Sequence, residues 1–287
     1  MSTSLLWYFR RHSLLFKIRF KMVSRKSSLD RIENFCYNTI NPKYDVPPIY
    51  FQLNRMILGQ PKSDLSDLEK AKKIAKWLRN HIKGGPGLGK SSNKALRKMI
   101  RGEGGVCSDM SQVYNNFCVI NNLKVKEWGL KIVSQNRMLR GGHSFNEVYS
   151  REFKKWVLLD VSKSIFFYHT NSKIPLSVFE LIQLKKENKE IHYFEFNKKV
   201  VVDKQYIEDI YLTPNSFPFL ITNYSNKTYD YFLDKLGFLP ESIIHGLIYL
   251  SGKSYAFEFP RKEYKMEYPI TKPVLAKAHH RYPVNAK

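Results

Sequence analysis

The stretch that decides the fold runs from Gly104 to Ser162: GGVCSDMSQVYNNFCVINN (104–122), LKVKEWGLKIVS (123–134), GGHSFNEVYS (141–150) and KKWVLLDVS (154–162). Met110, Val113, Tyr114, Phe117 and Cys118 recur at intervals of three and four, the period of a helix with one apolar face. Cys107 opens that helix and shares its inward stripe, since Met110, Tyr114 and Cys118 stand 3, 7 and 11 residues later. Cys118, within the stripe, reads as a core residue. The three segments that follow, rich in aliphatic and aromatic side chains, read as consecutive strands. The inward stripe should meet whatever sheet these strands form.

Two of these strands make a testable hairpin. With Arg151-Glu152 as its turn, or the four residues from Ser150 to Phe153, His143 falls directly opposite Asp160. Opposed residues share a face with Cβ atoms about 4.5–5.5 Å apart, close enough for a carboxylate to orient an imidazole. A slip of one residue would send Asp160 to the other face. Cys107, at a helix start, gains thiolate character from the helix dipole and from unpaired N–H groups. Gly102, Gly104 and Gly105 let backbone approach it closely. Each of the three residues alone has an ordinary reading, as core, surface or turn. Together Cys107, His143 and Asp160 make a nucleophile, a general base and its orienter, expected on the sheet face that meets Cys107. The backbone N–H of Cys107 is the one oxyanion donor the sequence offers.

These residues carry a resemblance. Gly105-Val106-Cys107 at a helix start, His143-Ser144-Phe145-Asn146-Glu147-Val148 on a strand, and Trp156 with Asp160 on the next resemble the core of the transglutaminase-like superfamily, over about 100 of the 287 residues, from Leu65 to Phe167. The helix bearing Trp77 resembles the family's pre-core helix. The resemblance implies an α+β, papain-like arrangement, a Cys-bearing helix packed on an antiparallel sheet that carries His143 and Asp160, and cleavage or transfer of an acyl group at an amide bond through a thioester. It implies a protein, peptide or glycan-linked amide as substrate and no cofactor; an acidic cluster with the spacing of a calcium loop is absent from the sequence, which leaves the Ca²⁺-dependent animal branch unsupported.

Upstream, SDLSDLEKAKKIAKWLRNHI (63–82) reads as a helix opened by Ser63 or Ser66, with Leu68, Ala71, Ile74, Trp77, Leu78 and Ile82 in one stripe. The loop after it, Gly84-Gly85-Pro86-Gly87-Leu88-Gly89-Lys90-Ser91, matches the phosphate-cradling pattern G-x-x-x-x-G-K-[ST], and Val157-Leu158-Leu159-Asp160 imitates the apolar strand ending in a metal-orienting Asp. A phosphate cradle must follow a buried strand, and a helix precedes this one. A P-loop nucleotide-binding protein is therefore the weakest of three functional readings. Downstream, LSVFELIQLKKEN (176–188) reads as a helix and KKVVVD (198–203) as a strand. Phe and Tyr crowd the stretch from Phe166 to Tyr268, which holds 22 of the 37 in the chain. These divisions suggest a basic N-terminal extension over 1–62, a transglutaminase-like core over 63–168, and an aromatic-rich C-terminal region over 169–287 packed on that core.

With 48 Lys and Arg against 25 Asp and Glu, the formal charge of +23 favours an acidic substrate, an anionic membrane surface or another polyanion. The rival to an enzyme is accordingly a basic protein that binds nucleic acid or polyanion and carries a relic triad. Leu15, Ile18 and Met22 stand at helical spacing among basic residues, a pattern that suits either an ordinary packing helix or one lying on anionic lipid. The longest apolar runs, Leu5 to Phe9 and Ile243 to Leu250, are far shorter than the roughly 20 residues of a membrane span, and charges interrupt any signal-peptide core. Three cysteines are too few for a disulfide framework and suit a reducing compartment, so a cytoplasmic location, peripheral to the membrane at most, is expected. His279 and His280 lack a third ligand at metal spacing and read as tail residues.

Overall fold

The computed structural model describes residues 13–59, 65–132, 141–170 and 172–260. In chain order its elements are α1 (Ser13–Val23), β1 (Ser24–Ser27), α2 (Leu29–Asn34), α3 (Pro48–Leu58), α4 (Asp67–His81), α5 (Ser92–Ile100), α6 (Cys107–Ile120), β2 (Val125–Ile132), β3 (Gly141–Ser150), β4 (Lys155–Leu159), β5 (Ile165–His169), α7 (Val178–Lys186), β6 (Ile191–Glu195), β7 (Ser216–Thr222), α8 (Asn226–Lys235), α9 (Glu241–Leu250) and β8 (Ala256–Pro260). Leu5 to Phe9, Ser63, His279 and His280 lie outside the described residues.

The fold is α+β. Six strands form one sheet in the order β1-β8-β7-β2-β3-β4, antiparallel except where β1 runs parallel to β8, and β5 and β6 pair as a separate ribbon. Strands from residues 24–27, 125–159 and 216–260 therefore share one sheet. No helix among the described residues is long and apolar enough to cross a membrane.

The sheet has an apolar layer on each face. On one, α6 lays Met110, Val113, Tyr114 and Phe117 against Val125, Val148, Val157 and Leu159, with Ile74 and Leu78 of α4 beside them. Full burial of each such side chain contributes about 1.5–3 kcal/mol. On the other face Trp128, Leu130, Phe145 and Leu158 pack with Leu181 of α7 and with Ile210 and Tyr211. The helix α1 seats Phe20 on Phe219 and Phe259 and leaves Ile18 and Met22 about half exposed.

Ser66 opens α4: its hydroxyl accepts from Glu69 N–H, and the Glu69 carboxylate accepts from Ser66 N–H. Asp67, in the first turn, holds the β3–β4 turn, with Arg151 donating from Nε to Oδ2 and from a terminal nitrogen to Oδ1, each at 2.6 Å. Glu152 in turn accepts from Asp67 N–H. Because Arg151 and Glu152 are both engaged with α4, the hairpin turns through residues 151–154, with Lys154 left-handed at φ 52, and the ladder runs from Ser150↔Lys155 to Asn146↔Leu159.

This corrects the expected register. Continued past Leu159, the ladder sets Asp160 opposite Phe145, two residues from His143. A shift of two preserves the face, so the two side chains become diagonal neighbours and remain within reach. The segment 198–203 is not a strand: Val201 is 96% exposed, and Asp203 Oδ1 accepts from Tyr206 N–H to cap a one-turn helix, Lys204–Ile207. The helix expected over 176–188 is α7, capped by Ser177 with Glu180.

Candidate active site

Cys107 is the first residue of α6, and its seat is made by two backbones in contact. Gly105 N–H donates to Pro86 O at 2.9 Å. Asp109, in the first turn of α6, accepts from Val106 N–H at 2.9 Å and from Leu88 N–H at 3.2 Å through the same oxygen, Oδ2. The approach is so close that a Cβ on Gly104, at φ 143, would lie 2.6 Å from Pro86 O. The loop from Gly84 to Ser91 is thus a brace for the segment before Cys107. It follows a helix, α4, and the Leu88 N–H it contains is already given to Asp109.

His143 and Asp160 meet at the sheet edge. His143 Nε2 donates to Asp160 Oδ2 at 2.6 Å, and both side chains are buried. Tyr211 OH donates to the same Oδ2 at 2.8 Å, while Ser162 Oγ and Lys163 N–H donate to Oδ1, each at 2.9 Å. Four donors therefore surround the carboxylate. The other side of the imidazole is left to Cys107, whose sulfur is near enough to interact with His143 and with the backbone N–H of Ser144.

The face differs from the expected one. His143 and Phe145 alternate with Ser144 and Asn146 along an unbroken β3, and Asn146 reaches the underside of α6 at Ser111 O. His143 therefore points to the face opposite α6, where its ring stands edge-on to Tyr211 at 5.7 Å. The sulfur reaches it because β4 pairs with β3 no farther than Asn146. In the stretch of β3 left uncovered, the first turn of α6 comes to the strand's edge instead of its face.

Electrostatics join the three groups. Burial alone would push the Cys107 thiol up, but the charge of His143, its hydrogen bond and the Ser144 N–H carry it below the ordinary thiol value. Burial likewise opposes a charged imidazole, yet Asp160 and the Cys107 thiolate push His143 up to about 10. Against its own burial, Asp160 is held below the ordinary carboxylate value by His143, the Lys163 N–H and the Tyr211 hydroxyl. At all three groups the neighbours outweigh burial and favour the charged form. By contrast, burial drives the Cys118 thiol well up in the core, and Cys36 lies half-buried.

The comparisons with known proteins are sparse. No family model matches the chain, and no curated protein matches it significantly. Among solved structures, a candidate cysteine protease from Cytophaga hutchinsonii is similar to it, with 16% identity and a TM-score of 0.31, over 39% of this chain and 36% of that one.

Sequence reasoning brought Cys107, His143 and Asp160 forward and missed Tyr211. Tyr211 sits in a five-residue π-helical turn, Glu208–Leu212, in no recognisable motif, and its contact with Asp160 spans 51 residues. Tyr206, one turn earlier, is also close enough to feel the charges of Cys107 and Asp160, and Lys163 Nζ lies 3.9 Å from the centre of its ring. Among the described residues no cluster of three or more His, Cys, Asp and Glu side chains is placed to hold a metal ion.

Proposed function

We propose that this chain is a cysteine-dependent amide hydrolase or acyltransferase of transglutaminase-like type, with Cys107 as nucleophile, His143 as general acid and base, and Asp160 as its orienter. The observation that carries the reading is the chain of contacts from the Cys107 thiol through His143 to Asp160, at the N-terminus of a helix. In the first half-reaction the thiolate forms a bond to the amide carbonyl carbon, and the carbonyl electrons move to oxygen. The backbone N–H of Cys107, in the first turn of α6 and so without an intrahelical acceptor, faces that charge. As the C–N bond breaks, the His143 imidazolium gives its proton to the departing amine and a thioester remains. Water or a second amine, losing its proton to the now neutral imidazole, attacks the thioester; the C–S bond breaks and the thiolate returns.

The test is to treat the folded protein with iodoacetamide and with an activated acyl probe and to map the adducts by mass spectrometry. Cys107 should react far faster than Cys36, and His143→Ala should slow it by about 10²–10⁴-fold, the usual size of a general acid-base contribution. Equal reactivity of Cys107 and Cys36 in folded protein would overturn the proposal in favour of a basic polyanion-binding protein with an inert triad.

A further inference from the structure

Beneath Cys107 lies a second buried polar group that the chemistry above does not use. Glu127 on β2 and Asn146 on β3 are direct cross-strand partners, and Asn115 of α6 sits over them; all three side chains are buried. Asn146 Nδ2 donates to Ser111 O at 3.2 Å and to Asn115 Oδ1 at 2.8 Å, and Asn115 Nδ2 donates to Glu127 Oε2 at 2.9 Å. The Ser111 carbonyl can only accept, which settles the orientation of the Asn146 amide. Asn115 Oδ1 accepts from that amide, which settles the second. Two buried oxygens are then left without a donor, Glu127 Oε1 and Asn146 Oδ1, and they belong to the two residues that face each other across the ladder. An ionised Glu127 would leave both unsatisfied, at the cost of burying a charge and an unpaired acceptor. One proton answers both.

We propose that Glu127 is held as the neutral carboxylic acid, its O–H on Oε1 donating to Asn146 Oδ1, so that Glu127, Asn146 and Asn115 close a ring of hydrogen bonds that positions the Cys107 helix against the His143 strand. The ring ties α6 to β2 and β3 within eight residues of Cys107 and three of His143. Two amides and one acid give a single self-consistent arrangement of donors, which an apolar contact would not. Negative charge on Cys107 and on Asp109 of α6 favours the neutral form of Glu127, and the phenols of Tyr37, Tyr224 and Tyr255, which a Glu127 charge would push up further, stand near it uncharged. Its cross-strand neighbours Asn146 and Ile221 carry no charge. Burial, with these anions adding to it against the Asn115 bond, pushes the Glu127 carboxyl up to about 8.

Glu127→Gln replaces the O–H by an N–H donor and keeps the acceptor, so it preserves the ring without the proton. Urea unfolding of the full chain between pH 5 and 7.5 should show the wild-type folding constant falling about tenfold per pH unit relative to Glu127→Gln, because only the folded wild type retains that proton. Equal pH slopes would overturn the proposal. Should Glu127→Gln fail to fold, isotope-edited infrared spectroscopy of the wild type, with labelled glutamate, must show a buried carboxylic-acid carbonyl band at pH 6.5 that vanishes above pH 8; its absence overturns the proposal equally. The positioning role rests on the thiol chemistry proposed for Cys107. Glu127→Leu should move the pH midpoint of Cys107 alkylation up by about one unit while Glu127→Gln keeps the wild-type midpoint, and an unmoved midpoint in Glu127→Leu removes that role. A Cys107 no more reactive than Cys36 in wild type would sink the catalytic reading alone, since the pH slope tests the proton without it.

Discussion

Tyr211 gives its hydroxyl hydrogen to Oδ2 of Asp160, the same oxygen that takes His143 Nε2. The phenol and the imidazole therefore share one acceptor, and the carboxylate is fixed in rotation by ligands on both of its oxygens. A carboxylate free to turn would let the imidazole turn with it. Tyr211 thus acts on Cys107 at one remove, through the ring it helps to hold.

Tyr211→Phe deletes a buried hydrogen bond to a charged group and should lower stability by about 1.5–3 kcal/mol. Urea titration of the variant measures this, and Cys107 alkylation in the same samples should slow while remaining detectable. Unchanged stability would show that the phenol does not bear on Asp160 in solution.

The pH dependence of the pair has a definite sign. His143, ordinarily at 6.5, is raised to about 10 in the folded chain, and Cys107, ordinarily at 9.0, is lowered. The lowered thiol contributes stability that is lost as pH falls, and the raised imidazole contributes stability that is lost as pH rises, so in the wild type the two slopes oppose each other. Cys107→Ala removes the thiol's proton from the unfolded side. The raised His143 then contributes stability that is complete below pH 6.5 and lost as pH rises towards its folded value, up to about tenfold in folding constant per pH unit relative to Cys107→Ala/His143→Gln. The same pH profile in Cys107→Ala and in Cys107→Ala/His143→Gln would show that His143 is not held protonated.

Gly104→Val and Lys90→Ala separate the brace from a phosphate cradle. A side chain at Gly104 meets Pro86 O at 2.6 Å, so Gly104→Val should destabilise the protein by roughly 1–3 kcal/mol and slow Cys107 alkylation. Lys90→Ala should leave the alkylation rate unchanged, and ATP should give no shift in melting temperature. A shift with ATP that Lys90→Ala abolishes would restore a nucleotide site.

Twelve Lys or Arg against three acids between Lys62 and Arg101 lead up to Cys107. Acidic amide donors should be turned over faster than neutral or basic ones, and the preference should fade as the Debye length falls from about 10 Å at 0.1 M salt to about 3 Å at 1 M. A library of donors in three charge classes, assayed at both salt concentrations, checks this. Equal turnover across classes would assign the basic surface to another role.

What was legible in the sequence follows range. Periodicities of 3.6 and 2 are local, so α4, α6 and β2–β4 could be read from their own residues, as could Cys107 at a helix start. The face of His143 was not legible, because it depends on where β4 stops pairing. Nor was the register, since the turn is pulled to residues 151–154 by Asp67, 84 residues away from Arg151. Tyr211 and the Glu127 ring rest on contacts between elements that no spacing rule joins. The segment 198–203 shows the converse error: β-branched residues without a neighbouring strand form no strand.

The early end of β4 has a consequence for how such a site can arise. Lengthening the β3–β4 pairing by two residues would place a neighbouring strand where the Cys107 sulfur now takes the Ser144 N–H, and the sheet would close over the gap. A sheet edge ordinarily invites another strand, with the aggregation hazard that brings. Here the vacancy is filled by the start of a helix, so the backbone N–H that would have continued a ladder is turned towards the Cys107 sulfur. Cys107 occupies the place of a missing strand, and any change that mends the sheet would separate it from His143 without touching either side chain.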